Sequence, residues 1–353
     1  MTSAVEDMRI APEEMREAAR RLLADKVDRR APWEGRVGSA AALEADVGEL
    51  GWYQLTVPEE LGGLGQRFDV LAPIYEELGR SLAPLWLSGT LAAVDALARA
   101  GGDDADRVIA AVVDQALRIA PVVLPNGQGL GNARLPVVPG ASEVTHLLIV
   151  DQAGAASLVD RKAPGVGVEA VETWDLGRSY GEVTLANVTD VVCRFDAAAI
   201  LPVLRAHGEL ALAWDSIGAA TRSLSETVEY MLGRQQFGRP IASFQALKHR
   251  AADHKVAIEL ARSLVNHASG VFAVRGEGWA VLATQARILA CEAFAAMTED
   301  SIQLFGGVGF TWEYNPHLFL KRALMNQIIG GSADDLRDRV AEDVCRRALA
   351  SGH

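Results

Sequence analysis

Apolar residues recur at three- and four-residue intervals in "PEEMREAARRLLADKV" and "AALEADVGELGWYQL", which predicts helices there. The stretch "VPEELGGLGQ" (57–66) interrupts them with glycines, and "FDVLAPIYEELGRSLAP" resumes the helical pattern. "LSGTLAAVDALARAG" and "DDADRVIAAVVDQAL" predict a further helical pair, so residues 1–118 read as an N-terminal helical domain. From 119 to about 200 the texture changes to short β-branched runs, "APVVLP", "THLLIV", "VGVEAV" and "GEVTLANV", parted by Gly, Pro, Asn and Asp. That pattern predicts a small antiparallel β domain. Beyond it, Leu210, Trp214, Ile217, Thr221, Leu224, Val228 and Met231 form a helix seam, and Leu247, Ala251, His254, Ile258, Ala261 and Val265 form the next. "WAVLATQARILACEAFAAM" is apolar nearly all round, which suits a bundle centre or a subunit interface. Ser332, with Asp335 three residues later, reads as a capping box opening a last helix. The whole is mainly α with a central β domain, ending in a four-helix bundle over 201–353.

Composition narrows the partners. The chain has 353 residues, half of them apolar, and a net charge of −12. Its pI is about 5.1. An acidic globular chain is a poor match for nucleic acid or an anionic membrane. Cys193, Cys291 and Cys345 lack metal-ligand spacing and are odd in number, which predicts a reduced, cytoplasmic setting. No secretory leader and no membrane span are expected from the hydropathy pattern.

Against that acidity, "RQQFGRPIASFQALKHR" (234–250) gathers five basic side chains and two phenylalanines. Gly238 and Pro240 predict a tight link between antiparallel helices, with Arg234 closing one and Ser243 capping the next. The segment reads either as an anion grip, Arg234 on a pyrophosphate and Phe237 on a planar ring, or as a hairpin whose cations complement a helix end. "QLFGGVGFTWE" (303–313) is either a helix terminator or a backbone cradle. It is not a dinucleotide fingerprint, because no strand precedes it and the spacing differs.

Together, "RQQFGRPIASFQALKHRAAD", "DSIQLFGGVGFTWEYNPHLFLKRA" and "GWYQLTVPEELGGLGQ" resemble the acyl-CoA dehydrogenase family of flavoenzymes over essentially the whole chain. The resemblance implies FAD as cofactor, an acyl-CoA substrate and an acceptor such as electron-transfer flavoprotein. It also implies that Arg234, Phe237, Phe244, Gln245, Gln303, Gly306 and Gly307 hold the adenosine diphosphate half of a neighbouring subunit's flavin. Glycines admit a pyrophosphate close to backbone N–H groups, and an arginine neutralises it.

Other positions depart from the family. Its usual base is a glutamate just before the last helix, where this chain reads "IIGGSADDLR" and places Gly330. A glycine takes no proton. Asp334 and Asp335 read as helix-start charges. A second family position for the base falls on Gly208, with Glu209 one residue and ~100° away. Glu209 is then either a candidate base or an acid at a helix start. The family's flavin-ring loop is replaced by "LPNGQGLGN" (124–132), which has no hydroxyl side chain, and Trp174 is expected to pack the core.

Residues that reach a neighbour's flavin are kept, while those that hold the chain's own ring and abstract the proton are lost. This pattern resembles the heterotetrameric dehydrogenases of actinobacterial sterol catabolism, two copies each of two dissimilar chains. It implies a bulky, steroid-type acyl-CoA substrate and a supporting role for this chain. Two alternatives stay open: a self-sufficient homomeric enzyme using Glu209, and a scaffold or acyl-CoA-binding protein without redox chemistry.

Overall fold

The computed structural model describes residues 9–35, 40–83 and 86–350. Its elements fall into two compact units, the first running to Ile74 and from Ala83 to Gly208, the second Tyr75–Leu82 and from Glu209 onward.

The first unit opens with α1 (Pro12–Lys26) and α2 (Ala40–Glu49). Pro12 stands at the first helical position, where its missing N–H costs nothing, and Glu13 and Glu14 face the positive helix end. After short 3-10 turns, α3 (Ala72–Ser81), α4 (Trp86–Ala100) and α5 (Asp103–Val113) follow. Seven strands come next: β1 (Ile119–Val123), β2 (Asn132–Pro139), β3 (His146–Val150), β4 (Ala155–Asp160), β5 (Val166–Ala170), β6 (Tyr180–Ala186) and β7 (Cys193–Asp196). They form one sheet ordered β1-β3-β4-β7 and another ordered β2-β6-β5. Every pairing between them is antiparallel except β1 with β3, which is parallel. The expected all-antiparallel domain is corrected there. β1 enters from α4, whose Thr90 Oγ1 accepts from the Ile119 N–H at 3.0 Å and donates to its carbonyl at 3.2 Å. That anchor fixes the first residue of β1, through a contact 29 residues away that no local pattern encodes. Val122, Leu124, Leu147, Ile149, Val183 and Leu185 form the shared core of the two sheets.

The second unit is helical. α6 (Ala197–Gly233) leads through a two-strand hairpin, β8 (Gln235–Gln236) and β9 (Arg239–Pro240), into α7 (Gln245–Ala273). α8 (Trp279–Phe305), α9 (Pro316–Ile328) and α10 (Ala333–Ala350) complete it. The segment Tyr75–Leu82, which includes most of α3, belongs to this unit and lies against α6 at two glycines. A Cβ on Gly79 would stand 1.9 Å from the Asp215 carbonyl, and one on Gly218 1.8 Å from that of Glu76. The two backbones therefore touch, and any side chain at either place would part them. α8 is long and apolar enough to cross a membrane by composition alone. Its buried face, including Ala286, Ala290, Phe294, Met297 and Leu304, is instead the bundle core.

Candidate functional site

Packing in the second unit brings the two sequence motifs together. Tyr230 near the end of α6 stacks on Phe305 at the end of α8, with ring centroids 4.1 Å apart. Its hydroxyl donates to the Phe305 carbonyl at 3.2 Å. Arg250 and His254 of α7 both bond Asp300 of α8, His254 through Nε2 at 2.8 Å. The α6–α7 link is thereby fixed beside the glycine turn that ends α8.

At the hairpin tip Phe237 has φ 54° and Gly238 φ 79°, the left-handed pair of a two-residue turn. Such a conformation is strained for a bulky side chain, and packing within the chain does not offset it: the ring is 90% exposed. Phe244 meets it edge-on at 6.1 Å, and the Arg239 guanidinium lies 4.1 Å over the Phe244 ring. Arg234 is exposed and its side chain bonds nothing among the described residues. Gln245 and Gln303 are exposed as well. Gly306 has φ 65°, and a Cβ on it or on Gly307 would meet nothing within 4 Å. An unpaired guanidinium, an outward-facing ring and bare glycine backbone suit a diphosphate and its adenine. The residues present fit that half of a flavin dinucleotide. The expected cap is corrected: Ser243 Oγ is buried without a partner, and Phe244 occupies the N-cap of α7. The 3-10 turn Ile241–Ser243 carries the hydroxyl away from the helix start.

The turn between α9 and α10 differs. Gly330 has φ 72° and Gly331 φ 120°, and no carboxylate stands where the base is expected. Arg287 of α8, 2% exposed, donates to the Ile329 carbonyl and to that of Gly331 at 3.0 Å. The capping box is present: Asp335 Oδ2 accepts from the Ser332 N–H at 2.8 Å and its hydroxyl at 2.7 Å. Those bonds hold the Asp335 carboxyl below its ordinary pKa. Asp334 pairs with Arg337 at 3.0 Å, on the surface.

Glu209 lies well inside α6, not at a helix start, so that expectation is corrected. It is 5% exposed, its Oε2 accepts from Thr284 Oγ1 at 2.7 Å, and its Oε1 pairs with Arg339 of α10. Both oxygens are committed to the bundle itself.

In the first unit, the loop after β1 carries Gly127, Gly129 and Gly131, where a Cβ would meet nothing within 4 Å. Among them Gln128 buries an Oε1 that has no partner. Neither Gln128 nor Arg287 stood out in the sequence, because what marks each is one buried polar atom left without a hydrogen bond among the described residues. Trp174 is 65% exposed and packs no core, contrary to expectation. It sits in the loop between β5 and β6, flanked by Glu172 and Asp175.

Two family models match: acyl-CoA dehydrogenase N-terminal domain over residues 11–108, and C-terminal domain over 205–345. The acyl-CoA dehydrogenase IpdE2 of Mycobacterium tuberculosis is 34% identical over 332 residues, 89% of this chain and 92% of that one. The IpdE2 of Mycolicibacterium smegmatis is 32% identical, covering 93% and 99%. A variant of the Tcur3481–Tcur3483 steroid ACAD superposes with a TM-score of 0.84 at 26% identity, over 96% of this chain and 98% of that one. The ChsE4–ChsE5 complex from Mycobacterium tuberculosis shares the fold, with a TM-score of 0.85 at 22% identity over 95% and 97%.

Proposed function

Because the chain belongs to the acyl-CoA dehydrogenase family, we propose that it is the supporting subunit of a heteromeric enzyme desaturating a bulky, steroid-type acyl-CoA. The family's cofactor, FAD, supplies the acceptor for the hydride that leaves the β-carbon. In this reading Arg234, Phe237, Phe244, Gln245, Gln303, Gly306 and Gly307 grip the adenosine diphosphate of a flavin whose ring lies in a dissimilar partner chain. The observation that carries the reading is a contrast. The outward grip is open and unpaired, whereas neither candidate base has a carboxylate to offer, Gly330 having none and Glu209 having both oxygens engaged. General-base catalysis needs a carboxylate within reach of the substrate α-proton. The partner chain supplies it, and two copies of each chain give complete sites. The steroid-type substrate is supported by the likeness to the Tcur3481–Tcur3483 steroid ACAD, electron-transfer flavoprotein is the proposed acceptor, and the cytoplasm is the proposed location.

Colour tests this directly. The chain is purified alone and then with its native co-purifying partner, and flavin is counted per chain. The expected result is a colourless or weakly flavinated chain alone and a yellow, active complex with fewer than one flavin per chain. A stable homomer with one flavin per chain, active by itself, would establish the homomeric alternative. A complex without flavin would establish the scaffold.

A further inference from the structure

Arg287 is a guanidinium with almost no solvent and, among the described residues, no carboxylate partner. Its Nη2 donates to two neutral carbonyls, those of Ile329 and Gly331, and its Nε makes no geometric hydrogen bond among the described residues. Cys291, which feels its charge, has its pKa pushed up by burial first and offers a neutral thiol. An unpaired buried charge is costly, because little around it replaces water. The carbonyl end of α9 offsets part of that cost, roughly half an elementary charge. The nearest carboxylate at the turn, Asp335, is bonded to Ser332 and makes no ion pair with the guanidinium.

Gly330 is exposed, and a Cβ there would have a single neighbour within 4 Å, Arg287 Nη1 at 3.6 Å. The missing side chain thus leaves room for a small group at an exposed position, 3.6 Å from the guanidinium. The same arginine holds the turn by the carbonyls of Ile329 and Gly331, on either side of Gly330, so the opening is a fixed shape. We propose that the space over Gly330 is an anion site in which Arg287 binds a carboxylate carried by a ligand. A guanidinium matches a carboxylate's two oxygens, and such charge-assisted bonds are strong where water is scarce. Two sources offer that chemistry: a free small carboxylate, and an acyl-CoA whose acyl end bears one. Only the second source rests on the dehydrogenase reading.

The test separates them. The first arm follows the thermal midpoint of the assembled protein with sodium formate against sodium chloride at equal ionic strength. Gly330→Asp supplies the carboxylate from within, and Gly330→Asn fills the same space without charge; both residue types tolerate a positive φ better than most. Wild type is expected to gain stability with formate over chloride, saturating in the millimolar range. Gly330→Asn, whose side chain occupies the space, Gly330→Asp and Arg287→Met are expected to lose that response. No formate effect in wild type would overturn the proposal, as would an unchanged response in Gly330→Asp, which stays informative if Arg287→Met fails to fold. The second arm measures binding of glutaryl-CoA against pentanoyl-CoA by calorimetry, without turnover. A preference for glutaryl-CoA of about tenfold in wild type, absent in Gly330→Asn and Gly330→Asp, makes the acyl carboxylate the source; tenfold corresponds to about 1.4 kcal/mol. Equal binding of the two thioesters alongside a formate response overturns that source and leaves a free carboxylate. Failure of the dehydrogenase reading would leave the formate arm intact.

Discussion

Two glycine turns end long helices of the same bundle, and they do opposite things with their polar groups. At Gly306 the turn after α8 stands bare, beside an unpaired Arg234 and a strained, outward Phe237. At Gly330 the turn after α9 is held from beneath by Arg287 and followed at once by the Ser332–Asp335 cap. Below it, Asp215 and Arg322 pair with no exposure, and Asn326 donates to Asp215 at 2.8 Å. The first turn has kept its hydrogen-bonding capacity for something outside the chain. The second has spent most of its capacity inward, apart from the edge of one guanidinium. Glycine content alone does not separate a ligand cradle from a structural turn; the partners of the surrounding polar atoms do.

The largest test breaks the inward turn. Arg322→Met leaves Asp215 buried without its charge partner, and breaking such a pair costs about 3–5 kcal/mol. The denaturation midpoint of the assembled protein should fall accordingly, with flavin content per folded chain unchanged. A wild-type midpoint would mean that the pair does not hold the bundle. The outward turn comes next. Arg234→Ala should remove a charge-assisted contact worth roughly 1.5–3 kcal/mol, weakening FAD retention by about ten- to a hundredfold with stability little altered. Asp334→Asn is the control, and full flavin retention in both variants would remove the grip assignment.

A smaller effect is expected at Glu209. Glu209→Gln in the assembled complex should leave turnover within about tenfold of the parent, a barrier change under ~1.4 kcal/mol. Loss of a true general base costs about a hundredfold or more. Abolished turnover with flavin and assembly intact would make Glu209 the base and favour the homomeric enzyme.

The smallest effect is a pH dependence at the outward end. Burial, and then the Arg250 charge, lower the His254 pKa below its ordinary value of 6.5. Although His254 touches Asp300, Arg250 binds the same carboxylate, so the attraction for a protonated ring is shared. With the folded pKa depressed, the unfolded chain binds the proton more readily. The stability is therefore full above about pH 6.5 and lost as pH falls through the lower folded value. His254→Asn should flatten the stability profile on that acid side, and an unchanged slope would assign it to other groups.

By itself the sequence determined whatever depends on near neighbours. The 3.6-residue periodicity of Leu210 to Met231 marked α6, the β-branched runs marked β1, β3, β5 and β6, and Ser332 with Asp335 marked the last cap. The paired motifs around Phe237 and Gly306 marked the family because their residue types sit at fixed local offsets. Only the tertiary structure decided the rest. β1 runs parallel to β3, its first residue anchored by a threonine on α4. Trp174 is exposed because nothing among the described residues folds over it, and Glu209 is engaged because α8 and α10 reach it from 75 and 130 residues away. Arg287 looks like any helical arginine until burial removes its water and its neighbours supply no countercharge. Local spacing encodes backbone periodicity and turn geometry. Which polar atom meets which is settled by chain segments far apart in sequence, and so is which polar atom meets none.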